Sequence, residues 1–384
     1  MRRPSGPGSP RVYAGLRLVI AGLFAILAVL LGGCTRHQHL PFDAARSGYY
    51  TLPVAYYSNI FDYQAPDPQP ETFPMPVRQI EGYHVYGIRF PSSEYNGQPG
   101  NLVEARYFES RAPTVAPKPL LIVMPIWDTH TFPSTIMANG YALHSQGAVN
   151  VLWLQGEGHL FDWFHLADLA DGAAFEAEVD RSVERFRAAA VDTRRLLDWA
   201  VTRPEIDARR IGIIGFSMSA MVAANVAGND PRIHTAVYVV GGAHPWDVMT
   251  ECQVVVGYMR KHAMKNLGWD REQFRAFFRA KLAQGDPALW RGRYRPENTL
   301  IVESSRDDCI PAESRESLWE ATGRPERIVF PYNHWQPFLA MTPVGNKVLT
   351  HDIYAFLDRK LRPLPARQVV GKNPYTPAVA SQSH

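Results

Sequence analysis

The amino-acid sequence predicts a mixed α/β protein with a largely parallel sheet covered by helices on both faces. Short, almost entirely apolar runs at residues 120–127 and 210–216 are typical of strands buried on both faces. Between them, residues 175–200 carry apolar side chains at helical spacing, with arginine and aspartate on the opposite face. The alternation of such strands with helices favours parallel strands joined by helical crossovers.

The remaining elements follow the same alternation along the chain. Strand patterns cover residues 77–90, 102–110, 120–127, 149–154, 210–216, 235–240, 300–303 and 328–330. A last helical pattern covers residues 348–361. Residues 247–296 interrupt the alternation with two helical patterns rich in tryptophan, arginine and phenylalanine, and we interpret this segment as an inserted cap.

Composition and charge exclude several classes of protein. The chain has 384 residues, of which 46% are hydrophobic and 20% charged, so it has enough apolar side chains for a large core. Its net charge of +3 becomes −1 once the four arginines of residues 1–33 are set aside. Nucleic-acid binding and structural zinc are therefore not expected, because basic clusters are missing and the three cysteines show no C-x-x-C spacing.

The N-terminal region has the pattern of a secretory signal. An apolar run at residues 18–31 follows basic residues and is shorter than the roughly 20 residues that span a bilayer. It leads into Leu-Gly-Gly-Cys at residues 31–34, which resembles the lipobox of bacterial lipoproteins. The resemblance implies that residues 1–33 are removed and that Cys34 is acylated. It also implies a membrane anchor in the bacterial cell envelope, on the periplasmic side of the outer membrane because Thr35 replaces the aspartate of inner-membrane lipoproteins. The alternatives are an ordinary signal peptide and an N-terminal anchor helix.

Two segments flank the predicted folded domain of residues 77–362. Residues 34–76 are polar, aromatic and rich in proline, which favours an extended tether or a segment wrapped on the surface. Residues 363–384 contain four more prolines and are predicted to be disordered.

The most informative stretch surrounds Ser217. The strand pattern at 210–216 runs into Gly215-x-Ser217-x-Ser219, and small residues follow in a helical pattern at 218–227. A serine between a buried strand and a helix is the context of a nucleophile elbow, where the hydroxyl projects from a sharp turn. Gly215 fits this turn because neighbouring chains crowd it. The helix N-terminus that follows provides backbone N–H groups suited to a developing oxyanion.

With the upstream Pro-Glu-Ile-Asp-Ala-Arg-Arg at residues 204–210, this segment resembles α/β-hydrolases of the dienelactone-hydrolase-like kind. The resemblance implies an α/β-hydrolase fold over residues 77–362, with Ser217 as the nucleophile of a Ser-His-Asp triad and no metal or organic cofactor. The sequence departs from the family at Ser219, where glycine is usual.

The family's triad order of serine, acid and histidine points to two later loops. Asp307 lies in Asp-Asp-Cys-Ile-Pro, which matches the family's acid loop Asp-x-x-[Val/Ile]-Pro, and Asp308 is the alternative acid or a helix cap. His334 follows the strand pattern at 328–330. The charge of histidine changes near neutral pH, which suits it to take the Ser217 proton and return it to a leaving group. Of the other histidines, His244 is a candidate for lining the pocket, and His351 is interpreted as a helix-surface residue.

The same resemblance implies two backbone donors for an oxyanion. Met218 N–H is expected to be one donor, and we assign the second to Trp127, with Ile126 as the alternative. Aromatic residues between 156 and 165 suggest either a wall for an acyl or aromatic substrate or packing against the cap. The cap aromatics allow the same two interpretations, as a roof over a pocket or as core.

The last two cysteines follow adjacent strands in the implied topology. Cys252 and Cys309 are candidates for a disulfide in an oxidising periplasm, and two free buried thiols are the alternative.

The predicted function is hydrolysis of a small-molecule carboxylic ester through an acyl-enzyme. A peptidase or acyltransferase of the same fold would show the same triad. A catalytically silent envelope lipoprotein, used for binding or scaffolding, is the rival from another class. It is favoured by two departures from the family: Ser219, and the loop at residues 124–128, which lacks the His-Gly run common in relatives. The presence of all three triad residue types in order favours the enzyme.

Overall fold

The computed structural model describes most of the chain between residues 37 and 361. The described ranges are 37–48, 58–64, 70–74, 80–94, 102–113, 116–126, 132–156, 160–342, 345 and 347–361. The predicted signal peptide, the predicted acylation site Cys34 and the predicted disordered tail lie outside them.

Ten strands in the described part of the chain form one sheet, in the order β1-β10-β9-β8-β7-β5-β6-β4-β3-β2. The strands are β1 (Gln38–Leu40), β2 (Glu71–Pro74), β3 (Tyr83–Pro91), β4 (Leu102–Ser110), β5 (Lys118–Val123), β6 (Asn150–Gln155), β7 (Ile206–Phe216), β8 (Ile233–Val239), β9 (Thr299–Ser304) and β10 (Glu326–Phe330). The six strands from β6 to β10 in this order are parallel to one another, whereas β4, β3 and β2 on one side and β1 on the other pair antiparallel. The predicted mixed α/β fold with a largely parallel sheet is confirmed.

Helices cover both faces of the sheet, which explains the apolar strand patterns. They are α1 (Ala44–Ser47), α2 (Phe132–Ser145), α3 (Trp163–Asp168), α4 (Gly172–Val201), α5 (Met218–Asn229), α6 (Pro245–Glu251), α7 (Val255–Leu267), α8 (Arg271–Leu282), α9 (Ala312–Ala321), α10 (Gln336–Ala340) and α11 (Val348–Leu361). Side chains of α4 and α5 belong to the core on one face, and those of α2 and α11 to the core on the other. Every residue of β5 and β9 is buried, as expected for strands packed on both sides. None of the helices in the described ranges is both long and apolar enough to cross a bilayer.

Residues 34–76, predicted as an extended tether or a segment wrapped on the surface, take part in the sheet where the structure describes them. Its described parts contribute β1 and β2 to the two edges of the sheet. Phe61 is fully buried and contacts Trp290 edge-to-face, with ring centroids 5.9 Å apart. The physical reason is that an edge strand has unpaired backbone groups, and an extended segment satisfies them by pairing even where it contains proline.

The strand that leads to Ser217 begins earlier than predicted. β7 starts at Ile206, and the Asp207 carboxylate accepts hydrogen bonds from Arg209 N–H at 3.0 Å and from Arg210 Nε at 2.8 Å. These bonds fix the polar turn within the strand. In contrast, β5 ends at Val123, before Pro125, which has no N–H to donate to a neighbouring strand.

The predicted interruption at residues 247–296 is occupied by α6, α7, α8 and short 3-10 helices. Its aromatic side chains pack mainly with one another and with α4. Phe274 and Phe278 are fully buried, with ring centroids 4.7 Å apart, and Phe175 of α4 contacts Trp269 and Phe277 at 5.8 Å. These contacts give the cap a core of its own against the long helix.

Candidate active site

Ser217 occupies a strained turn between β7 and α5. Its φ of 53° and ψ of −118° lie in a region that non-glycine residues rarely adopt. Two backbone hydrogen bonds hold the turn, from Ser217 N–H to Val239 O at 2.8 Å and from Ala220 N–H to Ser217 O at 3.0 Å. This is the conformation of a nucleophile elbow, in which the hydroxyl leaves the chain at the carboxyl edge of the sheet.

Two small residues make the elbow possible. A Cβ on Gly215 would lie 2.2 Å from the Ser219 carbonyl oxygen, so no other residue fits without moving the turn. Ser219 is fully buried, and its Oγ accepts a hydrogen bond from Phe216 N–H at 2.7 Å and donates one to Phe216 O at 3.0 Å. The serine at the family's usual glycine position is therefore fully hydrogen-bonded and ties the two sides of the turn together.

The three residues predicted as a triad lie together. Ser217 Oγ is 2.9 Å from His334 Nε2, and His334 Nδ1 is 3.0 Å from both carboxylate oxygens of Asp307. The Asp307 side chain is fully buried and that of His334 nearly so. Cys309 N–H and Ile310 N–H donate to Asp307 Oδ1 at 2.9 and 2.7 Å, which stabilises a carboxylate that has no contact with water.

The alternative acid, Asp308, has a different role. Its Oδ1 accepts the His334 backbone N–H at 3.1 Å, and its own carbonyl accepts Gln253 N–H at 2.8 Å. Asp308 thus connects the acid loop to the histidine loop and to the cap. The geometry assigns the carboxylate that faces the imidazole to Asp307.

Of the residues predicted to be oxyanion donors, the structure describes only some. Met218 is the first residue of α5, where a backbone N–H has no partner within the helix. Ile126, after β5, lines the same cavity as Ser217 and Met218. Trp127, the predicted second donor, lies outside the described residues.

A cavity of about 230 Å³ opens above Ser217, and its lining is mostly apolar. Phe161, Trp163 and Phe164 line one side, Met249 and Val255 of the cap another, and no arginine or lysine of the described residues lines it. Both interpretations of the aromatic residues between 156 and 165 apply to Phe164, which lines the cavity and also contacts Tyr258 of the cap, with ring centroids 5.7 Å apart. Asp162, the carboxylate at the rim, accepts His165 N–H and caps α3. No group of metal-ligating side chains occurs within the described ranges.

Comparisons with known proteins establish the fold. No protein-family model and no curated protein matches this sequence. Acetyl xylan esterase 1 from Thermoanaerobacterium sp. JW/SL YS485 is 17% identical, with a TM-score of 0.51, covering 83% of this chain and 98% of that protein. An acetyl xylan esterase from Paenibacillus sp. R4 is 15% identical, with a TM-score of 0.50, covering 88% of this chain and 94% of that one. This chain has the α/β-hydrolase fold.

The cap of this α/β-hydrolase fold is fastened beside the acid loop. Cys252, directly after α6, forms a disulfide with Cys309, two residues after Asp307. The structure thus resolves the two alternatives for these cysteines in favour of the pair. The bridge and the Gln253–Asp308 hydrogen bond together hold the beginning of the cap against the loop that carries Asp307.

His244 and His351 are not among the residues that line the cavity. His244 caps α6, stacks on Trp246 with ring centroids 5.1 Å apart, and donates its backbone N–H to Asp286 Oδ1, so the pocket prediction for it is not met. Burial raises the pKa of Asp286, although this backbone hydrogen bond opposes the shift. His351 is exposed on α11, as its helix-surface interpretation requires.

Several cavity residues carried no signal in the sequence. Phe186 of the long helix α4, Met221 of α5 and Leu282 at the end of α8 all line the cavity. Their spacing is that of ordinary core positions, and only tertiary packing brings them to the site. In contrast, the cap aromatics singled out as a possible roof contribute to core contacts. They are Trp246, Trp269, Phe274, Phe277, Phe278 and Trp290.

Proposed function

We propose that this protein is a serine hydrolase that cleaves a carboxylic ester through an acyl-enzyme. The observation that carries the proposal is the continuous set of hydrogen bonds from Ser217 Oγ through His334 to Asp307, at 2.9 and 3.0 Å. Such a set activates a hydroxyl that is otherwise a weak nucleophile.

In the acylation half-reaction, Ser217 Oγ attacks the ester carbonyl carbon while His334 Nε2 accepts the hydroxyl proton. The tetrahedral intermediate collapses, the carbon–oxygen bond to the alcohol breaks, and His334 donates the proton to the leaving oxygen. Water then attacks the acyl-enzyme with His334 as the base. The acid leaves, and the proton returns to Ser217 Oγ.

The neighbouring groups have matching roles in this reaction. Asp307 holds the imidazole with the proton on Nδ1 and stabilises the positive charge that develops on the ring. Met218 N–H, at the positive end of the α5 dipole, is directed at the developing oxyanion, and a backbone N–H near Ile126 or Trp127 is the second donor. Donors that are held in place before the reaction stabilise the transition state more than water does.

The cavity favours an uncharged, apolar substrate. A phosphorylated or strongly acidic ester would leave its charge without a cationic partner in the described lining. An acyl chain or aromatic acyl group instead buries apolar surface against Phe161, Met249 and Val255, at about 25 cal/mol per Å².

We also propose that the protein is anchored in the cell envelope through acylated Cys34. The lipobox-like residues 31–34 support this, and so does the Cys252–Cys309 disulfide, since disulfides persist in the periplasm and are rare in the cytosol. The test is metabolic labelling with an alkyne-tagged fatty acid. We expect label in the membrane fraction for the native chain and none for Cys34→Ser, and equal labelling of both would contradict the anchor.

The enzymatic proposal is tested with nitrophenyl esters from acetate to decanoate. We expect kcat/KM to rise with chain length until the cavity is filled, and Ser217→Ala to abolish turnover at every length. Ser217→Ala is a matched control because it keeps the fold and removes one oxygen. A folded native protein without turnover on any ester would instead favour the binding or scaffolding role.

A further inference from the structure

We propose that the mouth of the cavity is a membrane-docking surface, on which the enzyme takes its ester from the bilayer that anchors it. The proposal deepens the function proposed above and rests on it for the reaction and the anchor. It joins two observations: the position at which the N-terminal chain reaches the fold, and a cluster of exposed aromatic and apolar side chains at the same end of the molecule.

The first observation concerns β1. This strand pairs antiparallel with β10, with Gln38 opposite Val329, so the chain arrives at the carboxyl end of β10. His37, the first described residue, contacts Phe330, with ring centroids 5.0 Å apart. Because β10 is parallel to β7, this is the edge of the sheet that carries Ser217 and His334.

The predicted anchor residue, Cys34, is therefore separated by only a short length of chain from the edge of the sheet that carries Ser217 and His334. Only three residue steps separate Cys34 from His37, and three extended residues reach at most about 11 Å. Acyl groups on Cys34 would hold the carboxyl edge of the sheet beside the bilayer. The opposite edge, where the parallel strands begin, would then face away from the membrane.

The second observation is the distribution of exposed apolar side chains. Eight large apolar residues are exposed in the described part of the chain, and half of them either line the cavity or are neighbours of a residue that does. They are Phe164, Tyr258, Trp335 and Leu339. Phe164 and Trp335 line the cavity and are also 63% and 43% exposed, which places them at its rim. We call these four residues the rim cluster.

The rim cluster consists of two pairs, and one member of each pair lines the cavity. Phe164 of α3 contacts Tyr258 of α7, with ring centroids 5.7 Å apart. Trp335 and Leu339 are four residues apart across α10 and share one face of it. Isolated exposed apolar residues are ordinary, but a group around an apolar cavity marks a surface that another apolar phase covers.

The charge on α7 identifies that phase as a bilayer with anionic lipid. Tyr258, Lys261 and Lys265 are exposed and follow one another at helical spacing. α7 contains no acidic residue. Aromatic rings and lysines on one helix face are the composition of a segment that lies in the membrane interface, with rings among the acyl chains and ammonium groups at the phosphates.

The test uses the chain from residue 34 onward with Cys34→Ser, so that binding to vesicles depends on the protein surface alone. The docking variant combines Tyr258→Ser with Leu339→Ser, two rim residues that do not line the cavity. The matched control is Leu143→Ser. Leu143 is 55% exposed against 50% for Leu339, and it lies near the end of α2, where the chain turns toward the beginning of β6 at the opposite edge.

Binding is measured by sedimentation with vesicles of phosphatidylcholine and phosphatidylglycerol. We expect the docking variant to bind at least about tenfold more weakly than the parent, or about 1.4 kcal/mol, and Leu143→Ser to bind like the parent. We also expect the parent to bind more weakly to vesicles of pure phosphatidylcholine than to the mixed vesicles. Absence of binding by the parent, or equal loss in both variants, would overturn the proposal. A concentration-dependent dimer that is lost in the docking variant would overturn it in favour of a second copy of this chain.

A second readout separates docking from catalysis. Hydrolysis of a water-soluble nitrophenyl ester without vesicles is expected to be equal in the parent and both variants, whereas hydrolysis of a long-chain ester dissolved in vesicles falls only in the docking variant. If no protein hydrolyses the soluble ester, the proposed function fails while the binding result stands. If the parent and both variants hydrolyse the vesicle-bound ester equally, the docking proposal is wrong and the proposed hydrolase activity is unaffected.

Discussion

The acid of the triad is open to a sharp test by replacing Asp307 and Asp308 with asparagine in turn. Cys309 N–H and Ile310 N–H both donate to Asp307 Oδ1, so an asparagine at 307 keeps its carbonyl oxygen there and turns its NH₂ toward His334. An amide N–H in the place of Oδ2, 3.0 Å from Nδ1, favours the imidazole tautomer that has its proton on Nε2. In that tautomer His334 does not accept the Ser217 proton.

The expected loss of activity is large because Asp307→Asn removes a buried negative charge and disfavours the tautomer that the reaction needs. We expect kcat to fall about 10⁴-fold in Asp307→Asn, as this tautomer change does in Ser-His-Asp hydrolases, which equals about 5.4 kcal/mol of transition-state stabilisation. Asp308→Asn is the matched control. Its amide oxygen still accepts His334 N–H, and kcat is expected to stay within about threefold of the parent.

The assay is steady-state hydrolysis of a soluble nitrophenyl ester, with circular dichroism to show that each variant is folded. A folded Asp308→Asn protein that loses as much activity as Asp307→Asn would refute the assignment of the acid. So would an Asp307→Asn protein that keeps most of its kcat, since the geometry leaves no other carboxylate against His334 Nδ1 in the described residues.

Three further predictions concern the supports of the site. Ser219→Ala removes both hydrogen bonds to Phe216. Urea denaturation should then show a loss of about 1–3 kcal/mol in the free energy of unfolding, while ester hydrolysis persists. An unchanged free energy of unfolding would contradict the role of this hydroxyl. Removing the disulfide with Cys252→Ser and Cys309→Ser should cost about 4 kcal/mol, because the bridge spans a sequence separation of 57, and a stability equal to that of the parent would refute it. Burial raises the pKa of Asp207, but hydrogen bonds from Arg209 N–H and Arg210 outweigh it and hold the pKa below 3.8. The stabilisation by the Asp207 carboxylate is therefore present above pH 3.8 and lost as the pH falls through the lowered pKa. Thermal melts of Asp207→Asn should differ from those of the parent at pH 7 and converge with them in strong acid. A difference that persists in strong acid would contradict this link between the Asp207 pKa and stability.

The parts of the site that the sequence predicts are those fixed by local chemistry. Ser217 and the acid loop each stand directly after a strand, and a parallel sheet brings such positions to one edge whatever the register. The apolar strands are recognisable because burial on both faces leaves no room for polar residues. These features depend on a few neighbours in the chain, so a single sequence reveals them.

Other features depend on partners far along the chain. β1 pairs with β10 across almost 300 residues, and nothing in its composition specifies that partner. Phe186 reaches the cavity only because α4 packs beneath the cap. The hydrogen bonds of Ser219 could not be inferred either, because they require the strained φ and ψ of Ser217 to bring the hydroxyl back to Phe216.

Covalent labelling shows whether Ser217 is an activated nucleophile, as proposed. A fluorophosphonate probe, followed by intact-mass measurement, is applied to the folded parent and to Ser217→Ala. We expect one adduct on the parent, mapped to Ser217, and none on the variant. A folded parent that takes up no probe, or a Ser217→Ala protein that is labelled to the same extent, would contradict it.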